Sequence, residues 1–345
     1  MSGAASAGLA NPDWLLEQRG AHRDLGEHVV GAAFAGGALA FALVDGTLRL
    51  PEQGGDEWRT VEAHDGAVLA LAATGAGWVT GGDDGRLCRT ALDGTVAELA
   101  GFGSRWVEQV AAHPSGTVAC GVGKAVHLHD AAGARLKELA HPSTVTGVAF
   151  DAKGKRVAAS HYNGVTLWFT GAKVDTPRVL EWKGSHTGVA LHPGGEACVS
   201  AMQENSLHGW RLPDGQHMRM SGYPSKTRSM SFSRTGKWLA TSGADSVVLW
   251  PFFGGGPMGK APTELAGGDS GVLCTRVACH PGQDMVAAGF SDGLVVLADI
   301  GSERILPVAA PGRGAVSTLA WNGDGTRLAL GTETGFAAFV DLAQR

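Results

Sequence analysis

The chain of 345 residues carries 28 Lys and Arg against 33 Asp and Glu, a formal net charge of −5. That length allows two average domains or one large repetitive one. The near-balanced charge, with no run of five or more basic residues, excludes an advertised nucleic-acid or anionic-membrane surface. The five cysteines (88, 120, 198, 274 and 279) form an odd set without CxxC spacing. With no signal peptide ahead of them they read as reduced thiols of a cytoplasmic protein. The Ala- and Gly-rich composition is that of a high-GC bacterial gene.

In chain order, residues 1–27 form an N-terminal segment, partly flexible, that mixes polar residues such as Glu17, Asp24 and Glu27 with little pattern. "VVGAAFAGGALAFALV" (29–44) follows, sixteen residues without a charge. It is shorter than the ~20 residues a bilayer-spanning helix needs, and three glycines interrupt it. Its explanation lies in what recurs downstream. "GVAFDAKGKRVAASHYNGVTLWF" (147–169) reads as three short strands separated by two turns. Similar copies begin near Val29, Val68 and Val107 and run through 188–211, 229–251, 275–299 and 317–341. The ends of their third strands align at Pro51, Thr90, His129, Trp168, Trp210, Trp250, Ala298 and Val340, 39 to 48 residues apart. Self-similarity at that period is the mark of a repeat architecture.

The turns fit the strands they join. Asp45-Gly46, Asp84-Gly85, Asn163-Gly164 and Asp292-Gly293 sit between second and third strands, where hairpins favour such pairs. His113-Pro114, His192-Pro193 and His280-Pro281 open the preceding turns. A fourth strand follows each unit, as in "WRTVEA" (58–63), "ARLKEL" (134–139) and "PRVLEW" (177–182). Four-stranded antiparallel units at this period predict an all-β propeller. Eight blades are favoured, with seven plus an irregular N-terminal sheet as the alternative. The eighth copy ends at Asp341, so residues 14–26 would supply its fourth strand and close the ring around a single domain, residues 28–345.

At this register the units resemble the WD40 repeat family. Its closing Trp-Asp survives in degraded form as "LWF", "GWR", "LWP", "LAD", "FVD" and "LHD", and His64 and His141 stand where the family places a His before the first strand. The family links its strands by a His, Ser/Thr, Asp, Trp chain of hydrogen bonds. His64, Thr80 and Asp84 match it, with Thr90 at the Trp position. His141, Ser160 and Trp168 match it in another copy, with Asn163 at the Asp position.

Several stretches invite chemistry. Gly254-x-x-x-x-Gly259-Lys260 approaches a phosphate-binding loop, but Ala261 stands where a hydroxyl residue is needed and Pro262 precludes the helix. The stretch reads as a lengthened connection after the sixth unit's third strand. His127 and His129 share one strand face, a spacing able to chelate a metal; His129 also occupies the Trp position, which favours a packing role. Met218 and Met220 alternate with His217, Arg219 and Ser221. Their two readings are an exposed partner-binding stripe and, preferred, packing on the neighbouring strand. There is no G-x-S-x-G or H-E-x-x-H. No catalytic residue, metal ligand or cofactor is assigned.

The resemblance implies that loops entering first strands and second-to-third-strand turns share the face around the channel mouth, and that this face binds protein partners. Its residues by register are Arg105, Trp106, His161, Tyr162, His186, Glu204, Tyr223, Lys226, Arg228 and Arg313, with His28, Gln203 and Asn205 beside them. Trp, Tyr and Arg are the types that most often dominate interfaces. The expected function is a non-catalytic, monomeric protein-interaction scaffold that binds a protein or peptide, without nucleic acid or membrane. Two alternatives stay open: a metal-handling propeller using His28, His161 and His186, and an enzyme with a channel-centred site.

Overall fold

Second strands are mostly apolar or small-residue runs, such as Ala38–Leu43, Val118–Val122 and Met285–Phe290. A strand covered on both faces has no solvent side, so hydrophobic alternation disappears. Fourth strands are partly exposed instead: Trp58–Glu62 buries Trp58 and Val61 and exposes Arg59, Thr60 and Glu62, and His217–Met220 alternates, burying Met218 and Met220 while exposing His217 and Arg219. These are the outermost strands, with one face on the neighbouring unit and one in water. The two methionines therefore pack in a core cluster with Leu207, Trp250 and Phe252, as the preferred sequence reading has it.

The computed structural model describes residues 13–52 and 57–343, so any flexibility of residues 1–12 lies outside the described residues. It is a β-propeller of antiparallel, radially ordered strands with one short helix, Leu15–Arg19, among the described residues. The 29–44 stretch forms the strands Val29–Ala35 and Ala38–Leu43 of the first unit. Among the described residues no helix is long and apolar enough to cross a membrane.

Among the described residues the strands form seven hydrogen-bonded sheets, six of four strands and one of six. Counted as sheets the propeller has seven blades, the alternative and not the favoured eight. All eight sequence copies are nonetheless built as strands, because the fourth and fifth share the six-stranded sheet. Arg156–Phe169 turns back on itself at Tyr162 and Asn163, and Thr170 N donates to Lys155 O (3.0 Å) to close the hairpin. Arg178–Leu191 then closes the fourth unit with its first half and opens the fifth with its second. Pairing passes from Tyr162↔Ser185 to His186↔Met202 without a loop between, which is why the two units do not separate.

The ring closes as expected. Gly20–Asp24 pairs antiparallel with Phe336–Asp341, from Gly20↔Val340 to Asp24↔Phe336. The preceding helix buries Leu16 in a cluster with Val295, Val308 and Leu330, and Glu17 accepts a bond from Arg313 at 2.8 Å.

Neighbouring units are tied by the His-Pro turns. His192 Nδ1 accepts from Gly194 N (3.0 Å) and His280 Nδ1 from Gly282 N (2.9 Å). That leaves the proton on Nε2, which donates to Gly236 O and Gly325 O of the next unit, each at 3.0 Å. A Cβ on either acceptor glycine would lie 2.1 Å from the imidazole, and both have positive φ (72° and 76°), so only glycine fits.

Because the closing strand is held through Leu16, Leu16→Ala should destabilise the protein by about 2–5 kcal/mol, read as a lower denaturant midpoint. A midpoint equal to wild type would mean that the helix does not hold the closure.

Candidate functional site

The face expected around the channel mouth is assembled by two kinds of connection. The turn at Tyr162-Asn163 is tight because Asn163 adopts φ 68° and Gly164 φ 149°, a left-handed excursion that Asn and Gly tolerate. The loops entering first strands approach these turns: Gly85 lies beneath Gly103 and Arg105, and Gly293 against Arg313. Trp106 and Tyr162 are 56% and 59% exposed, large rings left in solvent. Arg105, Glu204, Lys226 and Arg228 are exposed as well, with Gln203 beside them. Arg228 approaches Glu333 at 3.9 Å, a solvent-exposed pair of little energetic weight.

Four residues expected on this face lie deeper than their register suggests. Tyr223 is buried, not displayed: its hydroxyl bonds Thr241 Oγ1 at 2.6 Å and accepts the indole N–H of Trp250 at 2.5 Å. It thereby takes the place of the repeat's His in a Tyr–Thr–Trp chain. Burial pushes its phenol up to about 12. His161 is buried between Tyr162 O (2.9 Å) and Thr166 Oγ1 (2.8 Å). His186 is buried between Ser200 Oγ (2.7 Å) and Trp182 O (2.9 Å), and burial lowers its pKa. Arg313 is half-buried, spent on Glu17 and on the Phe336 ring 4.5 Å away. Register fixes where a residue falls along a connection and carries no information on its depth. His28 is half-buried, and Asn205 donates to Pro224 O at 3.3 Å.

The family-like hydrogen-bond chains are partly built. Desolvation opposes the charge on Asp84, but bonds from His64 and from the backbone of Arg86 and Asp65 outweigh it and hold the carboxyl below its ordinary range. His64 Nδ1 therefore donates to Asp84 (3.0 Å), and its Nε2 accepts from Thr80 at 2.8 Å. Gly82 is required there, since a Cβ would sit 2.3 Å from His64 Nδ1. The chain stops at Thr80; Thr90 Oγ1 is buried without a partner. In the fourth unit Trp168 donates to His141 Nε2 at 3.1 Å. Burial and the neighbouring His161 lower the pKa of His141 to about 4.

His129 Nδ1 bonds Gly133 O at 3.1 Å, and His127 lies against Phe102, with centroids 4.7 Å apart. Among the described residues no three His, Cys, Asp or Glu converge as a metal site. Burial raises the thiols, Cys88 and Cys279 to about 11 and Cys120, Cys198 and Cys274 to about 12, so they are protonated and poor nucleophiles. The 252–262 loop lies elsewhere, against Met218 and Arg211 of the fifth unit. Its Lys260 bonds the carbonyls of Phe253 and Gly256 and covers the Phe253 ring at 4.7 Å.

One cavity was not legible in the sequence. Tyr162, Trp182, Lys183, Gly184, Met202, Glu204, Ser206, His208 and Arg219 enclose about 360 Å³ between the fourth and fifth units. Trp182 stacks on His208 with centroids 3.9 Å apart and planes 11° apart. Only position hinted at it: Trp182 ends a fourth strand and His208 lies near the start of a third.

A family profile described as "WD domain, G-beta repeat" matches residues 216–250. The chain is 24% identical over 352 residues to Autophagy-related protein 16 of Arabidopsis thaliana, across 94% of this chain and 69% of that protein. Its fold matches the crystal structure of the computationally designed Ika8 protein with a TM-score of 0.75 at 20% identity, covering 92% of this chain and 96% of the other.

Tyr223→Phe leaves the Trp250 N–H buried without an acceptor and should cost about 1–3 kcal/mol, measured by chemical denaturation; a neutral result would dismiss the Tyr–Thr–Trp chain as a stabilising element. His141 and His208, the latter lowered to about 3 by burial and the nearby His217, titrate below the ~6.5 of an unfolded His. The unfolded state then binds more protons as pH falls from 6.5 towards 3–4, so stability should fall through that window, by no more than about 1.4 kcal/mol per pH unit from each. Replacing both with Gln should flatten the midpoint-versus-pH curve there; an unchanged slope would refute the assignment.

Proposed function

We propose that this propeller, which carries a WD40-repeat match over residues 216–250, belongs to that repeat family and is a non-catalytic scaffold presenting its channel-mouth face to a protein or peptide partner. One observation carries this: Trp106 and Tyr162 stand more than half exposed on that face, beside the exposed Arg105, Lys226 and Arg228. Large rings and guanidinium groups are the side chains that contribute most when desolvated at an interface. A propeller presents them without ordering cost, because the strands behind each turn are fixed by both neighbours. The candidate partner-binding residues become Arg105, Trp106, Tyr162, Glu204, Lys226 and Arg228. Tyr223, His161, His186 and Arg313 support the loops that carry them.

The reading extends to a monomer in the cytoplasm, with reduced thiols and no nucleic acid bound. The similarity to Autophagy-related protein 16 supports protein partnership in general and names no partner here.

Trp106→Ala combined with Arg228→Ala should reduce recovery of a crosslinked partner from native extracts at least tenfold. Thermal stability should be unchanged, since both side chains are exposed. Extracts that yield no specific partner for the wild-type protein would sink the scaffold reading.

A further inference from the structure

The cavity between the fourth and fifth units has the chemistry of a specific subsite. Its volume of about 360 Å³ falls in the range of small ligand pockets, large enough for a side chain and part of its backbone. Trp182, stacked on His208, supplies a flat apolar surface, and the Met202 side chain adds to it. Gly184 stands between them at φ 115°, where a Cβ would meet Met202 Cε at 2.8 Å and Glu204 Oε1 at 3.0 Å.

Three charges surround that surface: Lys183, Arg219 and Glu204. All are exposed, and none is in an ion pair within 4.0 Å among the described residues. Two cations against one carboxylate leave the site net positive. His208 is 1% exposed and its Nδ1 has no hydrogen-bond partner. Its Nε2 lies 2.9 Å from His217 Nδ1. When His217 donates across that contact, the proton of neutral His208 sits on Nδ1, a buried donor awaiting an acceptor. Buried polar groups without partners are uncommon and ask for an explanation.

We propose that this cavity docks an acidic segment of a protein partner, seating a carboxylate side chain between Lys183 and Arg219 with its aliphatic stem against Trp182. The assignment rests on the scaffold reading and gives it a ligand chemistry. Trp182 has one face already covered by His208, and a cationic side chain would meet two like charges. Glu204, also in the lining, repels an incoming carboxylate, so removing its charge should strengthen binding.

The test uses the full chain and a fluorescein-labelled octaglutamate peptide followed by anisotropy, at low ionic strength and at about 0.15 M; octalysine is the comparison. Octaglutamate should bind. Lys183→Ala and Arg219→Ala should each weaken it roughly threefold, and the double variant about tenfold. Glu204→Gln should tighten it by about two- to threefold. A control removing two exposed cations elsewhere, Lys153→Ala with Arg234→Ala, should change nothing. Circular dichroism melts will verify that each variant is folded. Three results overturn the proposal: no octaglutamate binding, loss equal to that of the control pair, or preferential octalysine binding that Glu204→Gln abolishes. If any of these occurs while crosslinking still recovers a partner, the acidic-segment assignment alone fails; with no partner either, the scaffold reading falls too.

Discussion

The structure depends on how its innermost strands dispose of their free edges. A first strand pairs with the second strand of its own unit on one side only, so its other edge faces the channel with backbone groups unsatisfied. Side-chain hydroxyls from adjacent units reach those groups. Ser229 Oγ donates to Val277 O (3.1 Å), Thr275 Oγ1 to Val316 O (2.7 Å) and Ser317 Oγ to Val29 O (2.6 Å); Thr146 Oγ1 donates to His186 O in the same manner. Thr275 and Ser317 sit where the register shifts, between Cys274 and Arg276 and between Val316 and Thr318. A bulge re-aims a side chain that would otherwise follow the pleat, and here it turns the hydroxyl towards the next unit.

The same logic operates at the opposite end of the first strands. His192 and His280 cap their own turns with one nitrogen and grip the next unit with the other. The contact between the seventh and eighth units thus has a polar tie at both ends, Thr275 to Val316 O and His280 to Gly325 O, with apolar packing between them. Non-directional burial sets the strength, and the ties set the angle at which one unit meets the next. Among the described residues the ring then has one non-sequential strand pairing, Gly20–Asp24 with Phe336–Asp341. Leu16 and Glu17 brace it from the preceding helix.

What the sequence disclosed divides by physical kind. Strand order, closure and the role of the glycine-rich 252–262 loop were legible because each is written in local periodicity and turn chemistry. The sheet count was not. Whether two units separate depends on Ser185 and His186, consecutive residues that pair with Tyr162 of one unit and Met202 of the next. For candidate site residues the sequence spoke to position along a connection and not to depth. Tyr223 lies on a connection, where a tyrosine reads as displayed; only the presence of Thr241 and Trp250 behind it, from different strands, draws it inward. Trp106 and Tyr162, with no such partners behind them, stayed out.

The cavity was illegible for the reason that makes it usable. Its members come from several separate stretches of chain, and each carries an ordinary explanation where it stands: a strand-end Trp, a turn Glu, an outer-strand Arg. What distinguishes them is convergence at the one junction where two units share a sheet. Continuous pairing through Ser185 and His186 holds the connection between the units as a strand where elsewhere it is a loop. His186 Nε2 donates to Trp182 O and its Nδ1 accepts from Ser200 Oγ, which fixes the backbone that carries Trp182. A recognition surface gains affinity when its parts are ordered before the partner arrives. The departure from separate blades and the aromatic floor of the cavity are therefore consequences of one strand, Arg178–Leu191, that runs from one unit into the next.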